Sequence, residues 1–203
     1  MIEKGAVLPL FYLPPVEYFV QLTHYNPDFV IEREEHFPKQ TYRNRANIYS
    51  PDGPLTLVIP VVKGAKLHTP VKDVKISYDF RWQRLHWMSL QSCYRRSAYF
   101  EYYEDDLVPF YEKKETFLFD YNEQLMQLIL KLLKIKATIN YTESYEASYP
   151  GLTDLRKSFS AKNTPQYPQK PYFQVFEERH GFIKNLSVVD LLFNQGPQSV
   201  NYF

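Results

Sequence analysis

The sequence predicts an α/β fold: a single domain with a mixed or mainly parallel sheet, an N-terminal βαβ unit and a helical middle section. Three observations carry this reading. Two strand-length apolar runs flank a helix-like segment within the first 32 residues. After Asp79 the apolar spacing changes to a helical period. Leu, Ile, Val and Phe make up 59 of the 203 residues, about 29%, well above the roughly 20% below which chains stay disordered.

The elements follow in order. Residues 6–13, AVLPLFYL, read as a buried strand. Pro14 and Pro15 stop it and open a helix, VEYFVQLTH, because proline is tolerated in a first turn. Asn26-Pro27 ends that helix, and residues 28–32 read as a second strand, completing the βαβ unit. Asp52-Gly53 between ANIYS and PLTLVIPVV signals a hairpin. GAKLHTP reads as a loop and residues 71–79 as a weak strand. A helix over 81–94 would align Trp82, Leu85 and Ser89, with His86 and Leu90 beside them. A second helical piece follows, cut by Pro109. Asp120 and Glu123 have capping-box spacing before a helix over 121–134. KATINYTES and PYFQVF read as strands. Residues 142–171 lack periodicity and read as a lid-like or binding segment within the one domain, 1–203. Ser187 and Asp190 form a second capping box, stapled by Leu186 and Leu191, for a short helix stopped at Gly196-Pro197.

Composition excludes several classes. The net charge of +1 gives no global pull toward nucleic acid or anionic lipid. A lone cysteine, Cys93, excludes an internal disulfide framework and a cysteine-based zinc finger. No secretory leader and no run of ~18 apolar residues is present, so a cytoplasmic setting without membrane insertion is expected. The six glycines stand at 5, 53, 64, 151, 181 and 196. None has the spacing of a dinucleotide fingerprint, a P-loop or a nucleophile elbow. Side-chain cations are then the visible means of holding an anion.

Lys39, Arg43 and Arg45 surround Asn44 in one short segment. If extended, the three cations share a face and can grip phosphate or carboxylate. The competing reading is a solvated loop paired with Glu32, Glu34 and Glu35. His86, beside Trp82 on a helix, is a candidate proton carrier or a core histidine with one hydrogen bond. His24, His36, His68 and His180 show no metal-ligand spacing, and no metal site is expected. Glu101, Glu104, Asp105 and Asp106 read as a solvated face. Tyr94 heads a tyrosine- and phenylalanine-rich stretch that suits ring stacking or simple packing. Cys93 has no neighbouring histidine to activate it.

An ordered set of segments resembles the WbqC-like family. It runs through Leu13-Pro14 with Glu17-Tyr18-Phe19, Lys39 with Asn44-Arg45, and Leu57 to Val61. It continues through Trp82 to His86, Tyr94 to Phe100, Asn122 with Leu125, and Leu186 to Asn194. The sequence EHFPKQTYRNR and the short C-terminal half resemble the Bacteroidetes branch. The resemblance implies a role in bacterial surface-polysaccharide (O-antigen type) biosynthesis. It implies acyl or aminoacyl transfer to an amino sugar or nucleotide-linked sugar, with no cofactor specified. Longer members carry a Ser-Gly segment before the final block, which is reduced here to 142–171. The resemblance raises the weight of Lys39, Asn44, Arg45 and His86.

The leading expectation is therefore a transferase in which Lys39, Arg43 and Arg45 hold phosphate, Asn44 orients the substrate and His86 moves a proton. Trp82 and Tyr94 complete the candidate binding set. A non-catalytic sugar- or nucleotide-binding module is the alternative. Single-stranded nucleic-acid binding is a third reading, opposed by the balanced charge.

Overall fold

The computed structural model describes residues 5–62, 69–160 and 167–203. Its elements are β1 (Gly5–Pro9), α1 (Val16–Tyr25), β2 (Phe29–Glu32), β3 (Arg45–Ser50), β4 (Gly53–Val58), α2 (Trp82–Tyr94) and α3 (Phe100–Glu112). They continue as α4 (Leu118–Leu132), β5 (Asn140–Tyr141), β6 (Leu152–Asp154), α5 (Glu177–His180) and α6 (Val188–Gln195).

Four strands form a parallel sheet in the order β5-β2-β1-β6. Every residue of β1 is buried, as a central parallel strand requires. The first crossover, β1-α1-β2, is the expected βαβ unit. β3 and β4 form a separate antiparallel hairpin closed at Asp52-Gly53. Helices α2, α3 and α4 make up the helical middle. No helix among the described residues is long and apolar enough to cross a membrane.

Several local expectations are corrected. The first strand ends at Pro9, because Leu13 takes a left-handed φ of 41° and the chain turns inward. The 71–79 segment is not a strand: it holds one 3-10 turn, Val71–Asp73, and isolated bridges at Lys75 and Ile76. Pro109 lies inside α3 and does not cut it. Asp120 and Glu123 lie within α4, whose N-cap is Phe117, so that capping box is not formed. The buried face of α2 runs through Trp82, His86 and Leu90, while Leu85 is exposed. PYFQVF forms no strand, and β6 lies inside the supposedly irregular 142–171 segment. Of that segment, 161–166 lie outside the described residues, as do 63–68 of the expected loop and its His68.

Ser187 does cap α6, its side chain accepting from the Val189 amide at 3.4 Å. The following Gly196 ends the helix at φ 53°. A Cβ added there would stand 2.5 Å from the Tyr99 ring. Gly196→Ala is therefore expected to lose more than about 3 kcal/mol, from backbone strain plus overpacking. Gly53→Ala meets no atom within 4 Å and carries the φ strain alone. It should lose about 1–2 kcal/mol when both variants are compared with wild type by urea denaturation. Equal losses would show that the Tyr99 contact is unimportant.

Candidate functional site

β1 has β2 on one side and β6 on the other, so the order of the sheet reverses beside β1. Open α/β sheets bind ligands outside the carboxyl ends of their strands at such a reversal. Two groups of polar side chains meet there.

The first is ionic. Glu32, the last residue of β2, is fully buried. Arg156, two residues beyond β6, donates to Glu32 at 3.1 Å and to Asp154 at 2.5 Å. Thr142, next to β5, donates to Glu32 at 2.8 Å, and so does Tyr149. One carboxylate thus ties together the ends of β2, β5 and β6. Arg43 is buried and donates to Glu35 through Nε and Nη2, and to the Arg156 carbonyl at 3.3 Å. Burial lowers the Arg43 pKa and raises that of Glu35. Arg156 holds Asp154 below the ordinary carboxylate range by hydrogen bonding.

The second group is aromatic. The turn after β1 carries Tyr12 inward, its amide donating to the Tyr42 carbonyl at 2.9 Å. The Tyr12 hydroxyl lies 3.0 Å from His86 Nδ1 and 3.1 Å from the Tyr111 hydroxyl. Burial lowers His86 to about 4, against an opposing hydrogen bond with the Val58 backbone. The imidazole is neutral at pH 7. Burial raises Tyr12 well above its ordinary value, so the phenol keeps its proton. Trp82 packs edge-on against both His86 and Tyr121, at 5.1 and 5.7 Å.

Five buried polar atoms around this group have no hydrogen-bond partner among the described residues. They are Asn44 Oδ1, Arg45 Nε, Trp82 Nε1, Tyr121 Oη and Asn122 Oδ1. Asn44 and Asn122 are held by their amide nitrogens, which donate to the Ile59 and Arg43 carbonyls at 2.9 and 2.7 Å. Arg45 pairs across the hairpin with Val58, whose backbone bonds His86. Each unmet buried group costs about 1–3 kcal/mol, and folded proteins keep few of them. Their mixture of N–H donors, amide oxygens and a hydroxyl suits a neutral polyhydroxylated or amide-bearing ligand better than a bare anion.

The predicted residues are thus divided. Trp82 and His86 pack ring against ring, Arg45 pairs with Val58, whose backbone bonds His86, and Asn44 is held by the Ile59 carbonyl. Lys39 lies in an exposed turn, and Gln40 beside it has φ 61°. The segment is not extended, so Lys39, Arg43 and Arg45 do not share a face; Arg43 is turned inward to Glu35. Tyr94 belongs to a different network: its hydroxyl donates to Asp190 at 2.8 Å and accepts from the Tyr49 amide. Asp190 is fully buried and also accepts from Tyr172 and Gln174, at 2.7 and 3.1 Å. Burial raises it to about 6, against those three hydrogen bonds. It is therefore not the returning partner of a capping box. Cys93 is buried, and burial raises its thiol. Among the described residues no group of three or more His, Cys, Asp or Glu could hold a metal ion.

Sequence reasoning passed over Tyr12, Tyr121 and Arg156, and named Glu32 only as a partner of the cations at 39–45. For Glu32 the available signal was position, at the end of the second predicted strand; Tyr12 and Arg156 gave none, because the first strand reads through Tyr12 and β6 has no sequence signature.

A family model described as the WbqC-like protein family matches residues 11–163. The chain is 25% identical over 226 residues to "Uncharacterized protein Rv1507c" of Mycobacterium tuberculosis, covering 98% of this chain and 97% of that protein. No solved structure matches.

The two shifted groups give opposite pH slopes. His86 titrates in the native chain below its ordinary 6.5. Its contribution is whole above about 6.5 and is lost as pH falls toward 4, by at most about 3 kcal/mol. Asp190 titrates above its ordinary 3.8. The native chain holds that proton more tightly, so stability falls as pH rises from about 4 to 6. In urea denaturation, His86→Gln should gain on wild type as pH falls from 6.5 to 4. Asp190→Asn should gain on wild type as pH rises from 4 to 6. Curves parallel to wild type would contradict these assignments.

Proposed function

This chain belongs to the WbqC-like protein family, and on that premise we propose that it is a transferase acting on an amino sugar or nucleotide-linked sugar, in cytoplasmic biosynthesis of a bacterial surface polysaccharide. The supporting observation is the set of five unpartnered polar atoms around Tyr12 and His86, at the carboxyl edge of a parallel sheet. Sugar hydroxyls and an N-acyl group present the donors and acceptors that such atoms lack.

In this reading Asn44, Asn122 and Trp82 orient the sugar. Arg45 meets its anionic portion, Lys39 in its exposed turn is not assigned to it, and Arg43, already engaged with Glu35, positions Asn44 and the neighbouring turn. When an amine attacks an acyl carbonyl, it must shed a proton as the new bond forms and the leaving group departs. Neutral His86 takes that proton through the Tyr12 hydroxyl, which it contacts directly, and hands it back by the same path to the leaving group as the bond to the acyl donor breaks, since an imidazole lowered to about 4 does not keep it. Tyr94 supports the fold through Asp190 and is not assigned to the sugar. A second reading rests on the burial of His86, which is 5% exposed with hydrogen bonds to Tyr12 and Val58. It is a non-catalytic module that binds the same sugar.

The test is a thermal-shift screen of amino sugars, nucleotide-linked sugars and acyl donors. A sugar ligand should raise the midpoint. Trp82→Phe, which keeps a ring but deletes the indole N–H, should weaken that ligand about tenfold. A screen with no sugar-class ligand, or undiminished binding by Trp82→Phe, would overturn the reading. Sugar binding without turnover of any donor would favour the binding module.

A further inference from the structure

A second site stands apart from the first. A cavity of about 270 Å³ opens between the C-terminal end of α2, the β3–β4 turn and the segment carrying α5. Ser92 on its wall lies six residues, or about 9 Å of helical rise, beyond His86. Pro51 lines it at the closed end of the hairpin, whereas Arg45 and Val58 pair at the open end.

Two guanidinium groups, Arg96 and Arg179, line this cavity. Both residues are exposed. Among the described residues neither guanidinium has an ion pair or hydrogen bond; Arg179 bonds through its backbone amide, to the Phe176 carbonyl at 2.9 Å. The buried arginines behave otherwise: Arg43 and Arg156 are each held by a carboxylate. The negative end of α2 accounts for a cation beside it, at Arg96. It does not account for a second cation brought from a separate segment, since like charges facing one cavity repel. No Asp or Glu is among the described residues lining it. Cys93 adds no negative charge, because burial keeps its thiol protonated. The Ser92 hydroxyl donates to the Ser89 carbonyl at 3.1 Å, so the anion grip in this cavity falls to the two guanidinium groups.

The remaining wall is apolar. Phe176 lies edge-on to Tyr49 at 5.7 Å, and its carbonyl accepts from the Tyr49 hydroxyl at 3.1 Å. Its ring is therefore held in place rather than free to fill the cavity. We propose that this cavity binds a small organic phosphate, with Arg96 and Arg179 clamping the phosphate oxygens and a flat ring of the ligand lying against Phe176 and Pro51. Guanidinium forks match phosphate geometry, and two of them fix its orientation. The volume lies at the small end of ligand cavities, which limits the ligand to about one ring and one phosphate.

Isothermal titration with phenyl phosphate, inorganic phosphate and phenol, at matched ionic strength, tests this. Phenyl phosphate should bind saturably, inorganic phosphate about tenfold more weakly, and phenol not at all. Arg96→Ala and Arg179→Ala should each weaken phenyl phosphate tenfold or more. Arg84→Ala removes an exposed cation from the same helix and should leave binding unchanged, as should Trp82→Phe in the first site. Circular dichroism confirms that the variants fold. Absence of saturable phenyl phosphate binding, or an equal loss in Arg84→Ala, overturns the proposal. Loss on Trp82→Phe with no loss on Arg96→Ala also overturns it, by placing the ligand at the carboxyl edge.

Discussion

A carboxylate with no access to solvent sits at the end of β2, and the carboxyl edge of the sheet is arranged around it. Glu32 is 0% exposed. Leaving it without partners would cost several kcal/mol, so the fold must bring cations and hydroxyls to it. Thr142 comes from beyond β5, Arg156 from beyond β6 and Tyr149 from the loop between them. Strands β5 and β6 have only two and three residues. Their backbone ladders are too short to fix their position alone. The Glu32 cluster supplies the missing constraint.

The aromatic group depends on that edge in turn. The Arg43 guanidinium lies 5.5 Å from the Phe11 ring centroid and bonds the Arg156 carbonyl. Its own carbonyl holds the Asn122 amide. One residue thus links the ionic cluster to the wall on which Asn44, Arg45 and Tyr12 stand. This explains how a fold poor in glycine can build a polar site. The backbone does not approach a ligand through an open loop; the side chains are placed by buried hydrogen bonds and stacked rings. It also explains a use for so many aromatics: Tyr12, Trp82, Tyr111 and Tyr121 pack around His86 through ring and hydroxyl contacts.

The sheet, its βαβ start and the hairpin were readable because each rests on local chemistry: apolar runs, Pro-Pro, Asp-Gly. α4 was readable from its period, but its start was not. Asp120 and Glu123 look like a capping box, yet the helix begins earlier at Leu118, where burial of Leu118 and Phe119 outweighs the cap. β6 could not be read, since three residues of mixed polarity become a strand only by pairing with β1. At the candidate site, the contact of Trp82 with His86 was visible from their i, i+4 spacing on one helix. For Arg43 the parity argument fails, because it assumes an extended chain and the turn at Gln40 rotates the residues that follow; the competing reading, pairing with a nearby glutamate, holds at Glu35. Asp190 was taken as a helix cap, and its true partners, Tyr94, Tyr172 and Gln174, lie on elements remote in sequence.

The central claim is that Glu32 and Arg156 act as one unit that sets the carboxyl edge. A double-mutant cycle tests it most directly. Glu32→Gln, Arg156→Met and the double variant would be compared with wild type by urea denaturation at pH 7. Arg156→Met leaves the buried Glu32 without its cation, and Glu32→Gln leaves Arg156 with Asp154 as its one carboxylate, while the double change removes both charges together. The account predicts a coupling energy of about 2 kcal/mol or more, with the double variant no less stable than either single one. Additive losses within about 0.5 kcal/mol would contradict it, and would leave the edge held by the strand ladders alone.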